Sequence, residues 1–167
     1  MTRRISMTSG VQVAQRAAAD IEKWLRSLPK TRQVQNVEDD PTYRQRDVNL
    51  LWTTNKGHYQ IEIKGDRWHQ TGNFFFETTS NQEKGTPGCF LYTQADLLFY
   101  YFVAPRMLYI LPMPVTRDWF LANLQRFKER ATTTPIGHHH YTTVGRLVPI
   151  EVVRREVFGV KRIQIRE

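Results

Sequence analysis

The sequence predicts a mixed α/β (α+β) protein with a central mixed β-sheet flanked by helices. Three observations carry that expectation. An amphipathic stripe at helical spacing opens the chain, several short runs of period-two alternation follow, and a second amphipathic stretch sits at Thr116 to Arg130. At 167 residues, with 40% hydrophobic and 12% aromatic content, the chain is read as one domain with a real core. A C-terminal helix and β-hairpin fill 114–165.

Residues 9–28 read as a helix, because Ala14, Ala17, Ala18, Ile21, Trp24, Leu25 and Leu28 fall on one stripe. Ser9 suits its N-cap, and Leu28-Pro29 closes it, since the residue before proline disfavours the α conformation. Residues 33–38 alternate as a short strand, and Asp39-Asp40-Pro41 reads as a turn. Two strands follow at about 45–52 and 58–64, joined by a hairpin over Thr53 to Gly57. Asn73 to Thr79 reads as a strand and Ser80 to Gly88 as a polar loop. Thr93-Gln94-Ala95-Asp96 matches a capping box that starts a short helix. Leu98 to Ala104 and Met107 to Pro112 form a buried hairpin. Thr116 to Arg130 is a helix with Trp119, Phe120, Leu124 and Phe127 inside. Ala131 to Thr143 reads as a Thr-rich loop carrying His138-His139-His140. Strands at Arg146–Arg154 and Val157–Ile165, turning near Glu156 to Gly159, end the chain.

The net charge of +8 favours a polyanionic partner, and nucleic acid leads. The longest apolar run, Leu97 to Ala104, is far short of a membrane span. The start, Met1-Thr2-Arg3-Arg4, lacks the apolar segment of a signal peptide. The single cysteine, Cys89, allows no internal disulfide and no cysteine-based zinc site, so a cytoplasmic setting is expected. Gly85 to Gly88 lacks the Gly-Lys-Ser/Thr end of a phosphate loop, and no organic cofactor is expected. The three adjacent histidines have no acid or cysteine at zinc-like spacing and suit a loop contact.

The chemistry concentrates at Asp47 and at His58 to Asp66. In the second strand Ile61 and Ile63 point one way, so Gln60, Glu62 and Lys64 point the other. Asp47 is expected on the strand beside it. Two carboxylates and an ammonium on one face suit hydrolysis of a phosphodiester with a divalent ion. Asp47 and Glu62 are the candidate ligands, with the Ile63 backbone carbonyl as a third, for Mg²⁺ with Mn²⁺ as a substitute. Lys64 orients water or stabilises developing charge, and Gln60 helps position phosphate. Glu77, after three phenylalanines, is either a supporting acid or an edge-strand charge. Asp96 reads as a cap, and Asp66 as a solvated strand end. Arg46, Arg67, Trp68, His69, Arg154 and Arg155 are the candidate nucleic-acid contacts, with Trp68 open to either base stacking or packing.

The arrangement of Asp47, then Glu62-Ile63-Lys64 on a strand, after a helix and a short strand, resembles the PD-(D/E)XK (restriction-endonuclease-like) nuclease superfamily. The segment Thr71 to Glu77, with Gly85 to Gly88 and Thr93 to Asp96, resembles small phage and mobile-element endonucleases of that group. The resemblance spans about residues 9–112 and implies a restriction-endonuclease-like core with Asp47, Glu62 and Lys64 as catalytic residues. It implies a metal-dependent DNA endonuclease, and a homodimer if both strands are cut. The residue before Asp47 is Arg46 where the family name has proline. Many members also carry an acid in the first helix, for which Glu22 and Asp20 are candidates beside Gln12 and Gln15. A structure-specific resolvase of Holliday-junction type, and a non-catalytic nucleic-acid-binding subunit of a transposition or defence complex, are the rival readings.

Overall fold

In α1 (Met7–Ser27) the apolar stripe seats Ala17, Ile21 and Leu25 with no exposed surface, as its spacing predicts. The computed structural model describes residues 3–4 and 7–167, with side chains from Ser9 onward. Met1 and Thr2, on which the signal-peptide reading partly rests, lie outside the described residues. The helix starts before Ser9, whose hydroxyl accepts a hydrogen bond from the Arg67 guanidinium instead of capping.

A six-stranded mixed sheet lies against α1. After α1 the chain runs through β2 (Thr31–Asn36), α2 (Pro41–Gln45), β3 (Leu50–Thr54) and β4 (Gly57–Asp66), and β2, β3 and β4 form an antiparallel meander. A crossover then returns the chain to β7 (Leu97–Phe102), parallel to β4. The antiparallel β8 (Met107–Pro112) and β11 (Lys161–Gln164) complete the order β11-β8-β7-β4-β3-β2. Central β7 is buried on both faces, which explains its unbroken apolar run. Phe99 and Tyr101 pack toward α1, while Leu98, Tyr100 and Phe102 join the core on the other side.

The crossover contains β5 (Asn73–Asn81), β6 (Thr86–Pro87) and α3 (Cys89–Tyr92). β5 belongs to a second sheet with β1 (Arg3–Arg4), β9 (Lys128–Ile136) and β10 (His139–Pro149), in the order β1-β9-β10-β5-β6. Phe74 and Phe76 of β5 enter the core against Tyr100, Phe90 and Phe120, with Phe76 stacked on Phe90 at 4.0 Å between ring centroids. The helices α4 (Val115–Ala122) and α5 (Ile150–Glu156) cover the same core through Phe120, Ile150 and Val153. A central mixed sheet with flanking helices is therefore correct, and a second sheet is added to it.

Several expectations are overturned. Residues 39–41 lead into α2: Asp40 caps it by accepting the Thr42 N–H at 2.9 Å, with Pro41 at the first helical position. The strand expected from residue 45 thus begins only at Leu50. No helix starts at Thr93. It ends α3, and its hydroxyl accepts the Ala95 N–H while donating to the Asp47 carbonyl. The helix from Thr116 stops at Ala122, and a 3-10 turn, Leu124–Arg126, leads into β9. The Thr-rich loop is the β9–β10 hairpin, since β-branched threonine suits a pleated strand, and the histidine tract sits at its tip beside Gly137. The C-terminal hairpin does not form: residues 146–149 are the end of β10, α5 follows, and β11 pairs with β8; Ile150, Val153 and Val157 recur at helical spacing and are buried.

Candidate functional site

β4 divides its side chains as the alternation predicts. Ile61, Ile63 and Gly65 face α1, where a Cβ on Gly65 would sit 2.9 Å from the Ala17 side chain. Glu62, Lys64 and Asp66 face the other way, toward β5 and α3. Glu62 is only 7% exposed. Asp66 is buried rather than solvated: it accepts the Tyr100 hydroxyl and the Trp68 N–H.

Asp47 reaches this face from a turn and not from a strand. Its φ is +56°, a left-handed conformation that aspartate tolerates better than most residues. The turn is pinned by Asp47 N–H to the Arg44 carbonyl at 3.1 Å, Thr93 hydroxyl to the Asp47 carbonyl at 2.8 Å, and Gln94 N–H to the Arg46 carbonyl at 2.9 Å. Beyond Ile61, β4 has no backbone partner in β3. The Asn49 side chain takes over there and accepts the Ile63 N–H at 2.6 Å. In a strand the N–H and C=O of one residue point to the same side, so the Ile63 carbonyl is directed past the end of β3, toward the Asp47 turn.

The crossover supplies the rest. The Lys64 ammonium forms an ion pair with Glu77 of β5. Cys89, at the start of α3, donates its thiol to the Glu77 carboxylate at 3.8 Å. Gly88 is required before it, because a Cβ there would lie 2.3 Å from the Glu77 carbonyl oxygen. Ligating atoms of Asp47, Glu62 and Cys89 all lie within 4.8 Å of one another. Asp47 Oδ2 and Glu62 Oε2 are buried without a hydrogen-bond partner.

The electrostatics follow from this crowding. Burial, then the nearby Glu77, pushes the Asp47 carboxyl up to about 6 despite Lys64. Burial, then Asp47, drives Glu62 well above the carboxylate range. Burial, then Glu77, also raises the Cys89 thiol. For Lys64, burial alone would favour the neutral amine, but Glu77 outweighs it and keeps the ammonium. A divalent cation answers all three raised acids and both unpartnered oxygens, and the donors present fit one.

Beside Lys64 a cleft of about 440 Å³ opens between the two sheets. Its floor is Lys64, Asp66, Arg67 and Trp68; its far wall is one face of the second sheet, including Phe75, Arg130 and Tyr141. No family model, curated protein or solved structure matches the chain.

The remaining candidates divide. Arg67 and Trp68 line the cleft, and the Arg67 guanidinium lies 5.6 Å from the Trp68 ring. His69 begins a 3-10 turn just beyond, with Nδ1 buried and without a partner. Arg46 is exposed at the end of α2, 6.0 Å from the Tyr43 ring. Arg154 and Arg155 pair with Glu151 and Glu156 on α5 and line neither cleft nor cluster. Glu22 pairs with Arg26 at 2.7 Å, and Asp20 meets Tyr101 and Arg106. Both lie on α1, across the sheet from Glu62, so no first-helix acid joins the cluster. Gln60 donates its N–H to the Asp96 carboxylate at 2.7 Å and lines a separate hollow with Tyr43. Asp96 therefore anchors β4 and caps no helix. The sequence assigns no role at this site to Asn49, Cys89 or Thr93, because each acts through contacts that only the tertiary fold creates.

Proposed function

We propose that the protein is a metal-dependent endonuclease that hydrolyses DNA phosphodiester bonds, built on a restriction-endonuclease-like core. The order of helix, short strand, Asp47 before the next strand and Glu62-x-Lys64 on the strand after it supports that core. The observation that carries the activity is the pair of buried, unpartnered oxygens on Asp47 and Glu62 beside a charged Lys64.

Asp47, Glu62 and the Ile63 carbonyl would hold Mg²⁺ or Mn²⁺. Such an ion offsets phosphate charge and lowers the pKa of attacking water. Lys64, fixed as an ammonium by Glu77, is a hydrogen-bond donor and not a base. It orients the attacking water or neutralises charge growing on the phosphate oxygens. Arg67, Trp68 and Arg130 offer cations and a ring surface to the adjoining strand. A second copy of the chain would supply the second cut.

The test is incubation of plasmid and branched DNA with Mg²⁺ or Mn²⁺, wild type beside Glu62→Ala and Lys64→Ala. Cleavage by the wild type alone supports the reading. Cleavage that persists in both variants overturns the site, and binding without cleavage in any metal leaves a binding subunit.

A further inference from the structure

The donor set is not the all-oxygen set that magnesium prefers. Cys89 Sγ stands in the same cluster as the Asp47 and Glu62 carboxylates, all within 4.8 Å. Donors sharing one tetrahedral ion lie roughly 3.4–3.6 Å apart, given metal–oxygen distances of about 2.1 Å and metal–sulfur of about 2.3 Å. A small inward rotation therefore brings all three onto one ion. Glu62, with Oε2 buried and lacking any partner, is aimed into the same space.

We propose that Cys89 is a third side-chain ligand of this site, making it a borderline-metal centre that holds Mn²⁺, Co²⁺ or Zn²⁺ in preference to Mg²⁺. The inference rests on the reading of Asp47 and Glu62 as ion-holding carboxylates. A thiolate favours borderline ions, and magnesium gains little from sulfur. The position of Cys89 is fixed by the fold: Gly88 presses against β5, and its N–H donates to the Thr78 carbonyl at 3.1 Å. As the sulfur–metal bond forms, the thiol gives up its proton to the Glu77 carboxylate it already faces, or to water. No electron is transferred.

The experiment uses the full chain stripped with EDTA and titrated with Co²⁺, Zn²⁺ or Mg²⁺. Absorbance reads thiolate-to-cobalt charge transfer, and calorimetry reads affinity. The variants Cys89→Ser, Cys89→Ala and Glu62→Gln are first checked for native circular dichroism. Wild type should show the charge-transfer band, and both Cys89 variants should lose it. Zn²⁺ affinity should fall about tenfold or more in Cys89→Ser, while Mg²⁺ affinity should stay within about twofold. Co²⁺ binding without a charge-transfer band, or wild-type Zn²⁺ affinity in Cys89→Ser, overturns the thiolate ligand and leaves the carboxylate reading standing. Failure of folded wild type to bind any of the ions overturns both.

Discussion

Lys64 and Glu77 form an ion pair that joins the two sheets, Lys64 from β4 and Glu77 from β5. The site is thus assembled across a seam, and the charge state of Lys64 depends on a strand outside its own sheet. Lys64→Ala should slow cleavage by about 100-fold or more. Glu77→Gln, which keeps an acceptor but removes the charge, should cost about tenfold. Single-turnover rates measure both, and a Glu77→Gln loss exceeding that of Lys64→Ala would assign Glu77 a direct role at the ion.

The Asp47 carboxyl, raised from 3.8 to about 6, gives a signed pH dependence. The folded, metal-free chain binds a proton more tightly than the unfolded chain. Stability from this group is present below pH 3.8 and declines as pH rises toward about 6. The charged form then costs about 3 kcal/mol, which Asp47→Asn should largely recover. Thermal melts at pH 7.5 without metal should show a higher Tm for Asp47→Asn than for wild type. Ion affinity of the wild type should rise with pH through about 6 and be lost in the variant. An unchanged or lower Tm would refute the burial cost.

The proposed function divides the basic surface into residues that line the cleft and residues remote from it. Arg67→Ala should lower the slope of log affinity against log salt by about 1. Trp68→Ala should weaken single-strand binding by about 1–3 kcal/mol, with little change in that slope. Arg154→Ala with Arg155→Ala on α5 should leave both quantities near wild type. Fluorescence anisotropy across a salt series, without divalent ion, separates these outcomes. Equal losses from α5 and from the cleft would mean that binding is spread over the whole surface.

Tyr100 spans the seam as well, donating to Asp66 and accepting the Phe75 N–H at 2.9 Å. Tyr100→Phe keeps the ring and leaves the buried Asp66 carboxylate and the half-buried Phe75 N–H each short of a partner. The expected loss is about 2–4 kcal/mol of unfolding free energy in urea. A loss below about 1 kcal/mol would mean that neither group depends on the hydroxyl.

What the sequence disclosed was local. The Ile61–Ile63 alternation placed Glu62 and Lys64 on one face because period two follows from strand geometry alone. The stripe from Ala14 to Leu25 likewise announced α1. Asp47 was misplaced because Asp40-Pro41 reads equally as a turn and as a helix start, and the helix that follows shortens β3. The threonines of β9 and β10 read as a loop by polarity alone, although their β-branched side chains favour strands. Cys89 is a lone thiol in sequence, since only the packing of α3 on β5 brings it to Glu62. The first-helix acids illustrate the converse: Glu22 and Asp20 suited a metal by type, but α1 lies on the wrong side of the sheet.

The left-handed turn at Asp47 bears on how such a chain evolves. Few residues sit comfortably at a φ of +56°; asparagine is among them, and its codons differ from those of aspartate by one base. A single transition thus swaps the charged side chain for a neutral one without disturbing the backbone. It would also relieve a buried carboxylate and strengthen the fold. If the chain is the endonuclease proposed above, a DNA-binding descendant that no longer cuts lies one mutation away, on a route that folding does not oppose, and selection for cleavage is what would keep aspartate in place.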